Sequence, residues 1–230
     1  MAIFIDTGRI EEIKKFLKMG VIGGVTTNPT IMLKDGVTGG MEGIKRRSIK
    51  IAELINPLPL SVEVMSNDPA IMMKQALEFS RWADNINVKI TIHGPEGELE
   101  NLEVVHELEM NHDVRINVTA MMSAQQCLLA AIAGATYVSI FGGRVNNMGY
   151  NACDEISRLR RLLDSFKLSS QIIVGSTREV LNVVDWLDAG AHIVTVSPKL
   201  IEGMLVHPYS KETVQMFLKD AVNLENLIRE

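Results

Sequence analysis

The stretch Asn87–Thr119, NVKITIHGPEGELENLEVVHELEMNHDVRINVT, reads as one strand, one helix and a second strand. Val88 and Ile90 flank Lys89, and Ile116 and Val118 alternate with Asn117 and Thr119, the period of two that belongs to a strand. Between them, Glu98–Asn111 is amphipathic and of helical length. Such a unit joins parallel strands through a crossover helix.

Outward from this unit, short apolar or alternating runs recur every roughly 20–35 residues, each followed by an amphipathic stretch. The pattern predicts strands near Ile3–Asp6, Gly24–Asn28, Leu60–Val64, Asn87–Ile90, Arg115–Thr119, Tyr137–Phe141, Ile172–Ser176 and Ile193–Ser197. It predicts helices over Arg9–Met19, Gly40–Leu54, Pro69–Arg81, Glu98–Asn111, Ala124–Ala133, Asn151–Phe166, Arg178–Ala189 and Glu212–Arg229. Gly20, Gly134 and Gly190 stand where a left-handed residue closes a last turn. Eight strands alternating with helices predict an α/β fold, a single (β/α)8 TIM barrel spanning residues 1–230. The rival, an open doubly wound sheet, usually carries a Gly-rich dinucleotide turn after its first strand, and IFIDTGRI has none.

The 230 residues are 47% hydrophobic, enough for a full core. A net charge of −5 with mixed signs offers no stripe for nucleic acid or an anionic membrane, so a small ligand is expected. MAIFID meets an acid at its sixth residue, and no run approaches the roughly 18 apolar residues of a membrane span. Neither signal peptide nor anchor is therefore expected, and the expected location is cytoplasmic. Cys127 and Cys153 have no disulfide or metal spacing and read as reduced thiols, and the histidines form no HxxxH or HExxH pattern, so no metal is expected.

Catalytic groups of α/β barrels sit at the C-terminal strand ends, and here nearly every strand ends in a polar residue. Asp6 ends the first, Thr26, Thr27 and Asn28 the second, Glu63 the third, Lys89 the fourth, and Asn117 and Thr119 the fifth. Ser139 belongs to the sixth, Ser176 to the seventh and Ser197 to the eighth. Parity turns Glu63, Lys89, Asn117 and Thr119 into the barrel mouth while the apolar residues between them face the helices.

Burial disfavours a lysine cation, and the neutral amine is a nucleophile for carbonyls, which is Schiff-base chemistry. A single strand lysine more often snorkels to solvent, but the shared parity argues for catalysis. Asp6 also reads as a cap for the first helix, and Asn28 before Pro29 as a turn or cap residue. Glu63 between valines needs a cation, a water or a substrate hydroxyl, and Lys89 as a structural partner would suffice. FGGRV at 141–145 and GSTRE at 175–179 combine glycines, Arg144, Ser176 and Arg178 in the manner of a phosphate site. Surface ion pairs are the plainer reading of both arginines.

FIDTG, GVTTNPT, SVEVM, NVKI, INVTAMMS, YVSIFGGR and GSTR resemble, in this order, the strand-end motifs of transaldolases and the related fructose 6-phosphate aldolases. The likeness covers nearly the whole chain and is closest to the short microbial members. It implies a barrel of the class I aldolase type, with no cofactor and with sugar phosphates as partners. Lys89 would form the Schiff base, and Asp6 would be the acid/base for the substrate hydroxyl. Glu63 and Thr119 would hold the water that relays protons. Asn28, Asn117 and Ser139, with Thr27 beside them, would bind donor hydroxyls, and Arg144, Ser176 and Arg178 the phosphate.

The aldolases resemble one another in carrying glutamine on strand three and tyrosine on strand six. Glu63 and Phe141 instead resemble the transaldolases, which implies transfer of a dihydroxyacetone unit rather than simple cleavage. Ile140 replaces a usual proline, KITIHG the usual KIPxT, and VNNMGYN the familiar loop, so the alternatives are a specialised sugar, aldolase-like cleavage, and, suggested only by these altered loops, a sugar-phosphate-binding barrel without catalysis. The family also resembles itself in forming rings, often decamers, which implies a homo-oligomer of decamer or pentamer type. The apolar stripe Val214, Phe217, Leu218, Ala221, Leu224 and Leu227 of the last helix would reach a neighbour or pack on its own barrel.

Overall fold

The computed structural model describes residues 2–227. Eight parallel strands close into a barrel in sequence order. They are β1 (Ile3–Asp6), β2 (Val25–Thr26), β3 (Leu60–Glu63), β4 (Ile86–Thr91), β5 (Ile116–Met121), β6 (Tyr137–Ile140), β7 (Gln171–Val174) and β8 (Ile193–Val196). β8 pairs back onto β1 through Ile3 and Val194, which leaves no open edge.

Seven helices pack outside as the alternation predicts: α1 (Ile10–Lys18), α3 (Gly40–Ile55), α4 (Pro69–Phe79), α5 (Glu100–Asn111), α6 (Ala124–Ile132), α8 (Ala152–Phe166) and α9 (Val180–Asp188). Three short helices at the mouth escape the periodicity: α2 (Pro29–Lys34), α7 (Gly142–Asn147) and α10 (Pro198–Leu205). They run six, six and eight residues, shorter than any of the seven outer helices, and leave little room for a hydrophobic period. Their starts are nonetheless chemical. Pro29 opens α2 with Asn28 Oδ1 accepting from Ile31 N at 2.8 Å, which is why β2 stops at Thr26, and Pro198 opens α10.

Two apolar layers follow from strand parity. Ile5, Val62, Val88, Ile116, Val138 and Val194 are at most 1% exposed and pack in the large core under the helices. Phe4, Ile173 and Ile193, with Tyr137 against them, form a separate cluster, the floor inside the barrel. Gly24 makes room for it, since a Cβ there would stand 2.7 Å from the Phe4 ring. Above that floor the inward residues are polar.

The last helix departs from expectation. α11 (Pro208–Leu227) begins four residues before Glu212, at a proline suited to a first turn, and its expected end at Arg229 and the side chain of Leu227 lie outside the described residues. It does not pack on its own barrel, because every residue from Glu202 to Glu225 is exposed. Tyr209, Phe217, Leu218 and Leu224 are 60–73% exposed. Among the described residues no helix is long and apolar enough to cross a membrane.

Candidate active site

The register of adjacent strands puts Glu63 beside Lys89 and Lys89 beside Asn117, one row of polar side chains across β3, β4 and β5. Lys89 is 5% exposed. Its Nζ donates to Thr27 O at 3.0 Å and lies 3.1 Å from Glu63 Oε2. The pair answers the cost of burying either charge, so a structural role for the contact is real. The surroundings go further. Thr119 Oγ1 and the Asn87 amide nitrogen are buried and find no partner among the described residues. Each such orphan costs about 1–3 kcal/mol. Ser48 Oγ and Trp82 Nε1 are orphaned outside the barrel as well, and what sets Thr119 and Asn87 apart is their place on the inward row around Lys89.

Asp6 closes the constellation from β1. Thr26 Oγ1 donates to Asp6 Oδ1 at 2.6 Å and lies 2.5 Å from Thr195 Oγ1 on β8. Asp6 caps nothing, since the residue before α1 is Arg9. Burial is the largest influence on its carboxyl and raises it above the ordinary value of 3.8. The Thr26 hydroxyl and the Lys89 charge pull it down, while Asp35 and Glu63 push it up. The net direction is upward.

A second network lines the far wall. Ser139 Oγ donates to Asn117 Oδ1 at 2.6 Å, and Asn117 Nδ2 donates to Ser61 Oγ at 3.1 Å, so the amide orientation is fixed from both sides. Asn28 caps α2 with its Oδ1, as the turn reading allowed. Thr27 gives its hydroxyl to Ser61 O at 2.9 Å and reaches Lys89 only through its carbonyl. Its neighbour Thr26, which parity turns inward, supplies the side chain there. Ser61, Asn87 and Thr195 are further inward polar groups that attention to strand ends alone misses. Each stands two residues before a residue the sequence singles out, so the same parity would have found them.

The two glycine loops meet at the rim. Phe141 leaves β6 and precedes α7, and the Arg144 guanidinium lies 5.5 Å from its ring centre. A Cβ on Gly143 would stand 1.9 Å from Ser176 O and 3.0 Å from Arg178 Cγ, so only glycine lets the loop after β7 close against α7. Ser176 holds a positive φ of 61° in that loop. Among the described residues neither Arg144 nor Arg178 forms an ion pair, so both guanidinium groups are free for an anion. Cys127 is buried, Cys153 half-buried, and both are free thiols.

A buried amine beside a carboxylate, a second carboxyl held up by burial, orphaned hydroxyl and amide groups, and free arginines at the rim suit a carbonyl substrate that carries hydroxyls and an anion. A family model described as transaldolase/fructose-6-phosphate aldolase matches residues 3–229. A "probable transaldolase" of Dehalococcoides mccartyi is 37% identical over 220 residues, covering 96% of this chain and 97% of the other. One of Exiguobacterium sp. is 37% identical over 226 residues, covering 98% of this chain and 100% of the other. Among solved structures, a thiamine phosphate pyrophosphorylase from Pyrococcus furiosus superposes with a TM-score of 0.61 at 12% identity over 85% of each chain, a likeness of fold alone.

Proposed function

The chain belongs to the transaldolase/fructose-6-phosphate aldolase family, and we propose that it is a transaldolase carrying a dihydroxyacetone unit from a ketose phosphate to an aldose phosphate on Lys89. The observation that carries this reading is the buried Lys89 amine, 3.1 Å from Glu63 within a mouth of unsatisfied polar groups. In the reaction, Lys89 Nζ adds to the ketose C2 carbonyl, and the carbinolamine loses water to give an iminium. A water held by Glu63 and Thr119 relays those protons. Asp6 takes the C4 hydroxyl proton, the C3–C4 bond breaks, and its electrons enter the iminium as an enamine while the first aldose phosphate departs. The enamine then adds to the carbonyl of the second aldose phosphate, Asp6 returns its proton to the new hydroxyl, and hydrolysis frees Lys89.

Asn28, Asn117 and Ser139 meet the donor hydroxyls, and Arg144, Ser176 and Arg178 meet the phosphate, with fructose 6-phosphate or sedoheptulose 7-phosphate as donor. Phe141 supplies no hydroxyl to protonate the enamine, which favours transfer over cleavage. Borohydride reduction with fructose 6-phosphate should add a three-carbon adduct at Lys89 alone, read by peptide mass. An unmodified protein, or a label on another lysine, sinks the Schiff-base assignment. A specialised sugar is the second reading, supported by the divergent 145–151 segment, which runs from the end of α7 after Arg144 to the start of α8. A ketose screened alongside fructose 6-phosphate and turned over faster would establish it.

The partner of α11 belongs to the same proposal: a second copy of this chain covers its exposed Phe217, Leu218 and Leu224, giving a homo-oligomer. Light scattering should find a mass well above 25.5 kDa, reduced by Phe217→Glu. A monomeric full-length protein removes this part.

A further inference from the structure

A carboxylate outside the mouth closes on the turn that carries Asp6. Asp35, directly after α2, has a side chain only 8% exposed. Its Oδ2 accepts from Thr7 Oγ1 at 2.9 Å and from Gly8 N at 2.7 Å, and its Oδ1 accepts from Arg9 Nε at 3.0 Å. These are the three residues that follow Asp6. The same turn is gripped from α3, where Arg47 Nη1 donates to Gly8 O at 2.6 Å. Charge-assisted bonds of this length hold geometry more firmly than neutral ones, and a strand-end turn otherwise keeps freedom.

We propose that Asp35 is a positioning residue for Asp6: by holding Thr7, Gly8 and Arg9 in one turn, it fixes the direction in which β1 presents the Asp6 carboxyl to the substrate hydroxyl. The consequence for substrate rests on the transaldolase reading, whereas the link between the two residues does not. Asp35 also acts through space, since its charge is one of the influences that raise the Asp6 carboxyl. The other charged groups facing Asp6 are Lys89 from β4 and Glu63 from β3. Across the adjoining cavity stand Arg9, Glu12 of α1, Lys34 of α2, and Lys199 and Glu202 of α10. Asp35 differs from all of these in both raising the Asp6 carboxyl and holding the turn that follows it.

The test labels aspartate carboxyls with carbon-13, assigns Asp6 by its loss in Asp6→Asn, and titrates it by NMR in the wild type, Asp35→Asn and Asp35→Glu. In parallel, kcat/KM for fructose 6-phosphate, with erythrose 4-phosphate as acceptor, is followed across pH. Asp6 must be ionised to accept the hydroxyl proton, so removing the Asp35 charge should move the Asp6 midpoint and the acid limb down together. Lost positioning should lower the plateau about ten- to a hundredfold. Asp35→Glu should return the midpoint toward wild type. Thr7→Val, which breaks one holding bond and keeps the charge, should lower the plateau and leave the midpoint in place. An Asp6 midpoint unmoved in Asp35→Asn, or full plateau activity in Thr7→Val, overturns the proposal. A shifted midpoint in an enzyme whose wild type has no transaldolase turnover supports the coupling and removes the functional reading instead.

Discussion

Glu63 and Lys89 are register partners on adjacent strands, and their side chains meet at 3.1 Å between Oε2 and Nζ. Removing one member of a buried pair leaves the other charge without its partner, which costs roughly 3–5 kcal/mol when both are fully buried. The Glu63 side chain keeps 17% exposure, so Lys89→Met should lose about 2 kcal/mol, less than the fully buried limit. Adding Glu63→Gln to that variant should restore most of the loss by removing the stranded charge. Urea midpoints of the single and double variants decide it, and a double variant no stabler than Lys89→Met would contradict the pairing account.

Asp6 affects stability with the opposite sign. Its carboxyl is raised above 3.8, with burial the largest cause, so the native state holds this proton to higher pH than the unfolded chain does. Stability therefore declines as pH rises from the unfolded value through the raised native one, and the penalty is fully present above it. Asp6→Asn removes that penalty. We expect the variant to be more stable than wild type at pH 7, to show no such advantage below the ordinary carboxylate range, and to lose turnover. Denaturant midpoints at both pH values check this, and a wild type at least as stable at pH 7 rules out burial as the dominant influence.

Strand parity made much of this site readable in advance. Alternation along SVEVM, NVKI and INVT already turned Glu63, Lys89, Asn117 and Thr119 inward, because a strand's period does not depend on its neighbours. Hydrogen bonds that span distant segments were not readable. Nothing in the sequence distance between Asp35 and Gly8 announces a bond of 2.7 Å, and the contact between Gly143 and the Ser176 loop exists only once β6 and β7 are adjacent. Thr26 and Thr27 show the limit most plainly, since one step along β2 decides which hydroxyl meets Asp6 and which meets the Ser61 carbonyl. α11 was ambiguous for another reason. An apolar stripe looks alike whether it faces its own barrel or another surface, and only the exposure of Phe217 and Leu218 separates the two.

The barrel floor offers a test of packing separate from chemistry. A methyl group at Gly24 would meet the Phe4 ring at 2.7 Å, and Phe4 is closed in by Ile173 and Ile193, so the ring has little room to retreat. Overpacking a tight interior costs about 1–3 kcal/mol, and Gly24→Ala should lose stability in that range. Gly24→Ala combined with Phe4→Leu should recover part of it, because the smaller side chain vacates the contact. Thermal midpoints of the three proteins measure the effect, and an unperturbed Gly24→Ala would mean that Phe4 is freer than its 3% exposure implies.

If the chain works as proposed, Phe141 bears on whether the three-carbon unit is transferred or released. The residue lies half-buried at the mouth, between the end of β6 and the start of α7, with the Arg144 guanidinium over its ring. On the proposed mechanism, a phenyl ring cannot give up a proton, so an enamine on Lys89 would have no donor at this point and would wait for an aldehyde. Phe141→Tyr adds one hydroxyl without changing the ring, and a positioned proton donor contributes typically about 10²–10⁴-fold to such a step. The variant should release free dihydroxyacetone from fructose 6-phosphate without acceptor at least about tenfold faster than wild type, the low end allowing for imperfect aim. Transfer to erythrose 4-phosphate should fall in parallel, because protonation and transfer draw on the same enamine. Both products can be followed by coupled assay in one experiment. Faster release with undiminished transfer would show that enamine protonation does not compete with the acceptor, and an unchanged release rate would remove position 141 as the determinant of transfer.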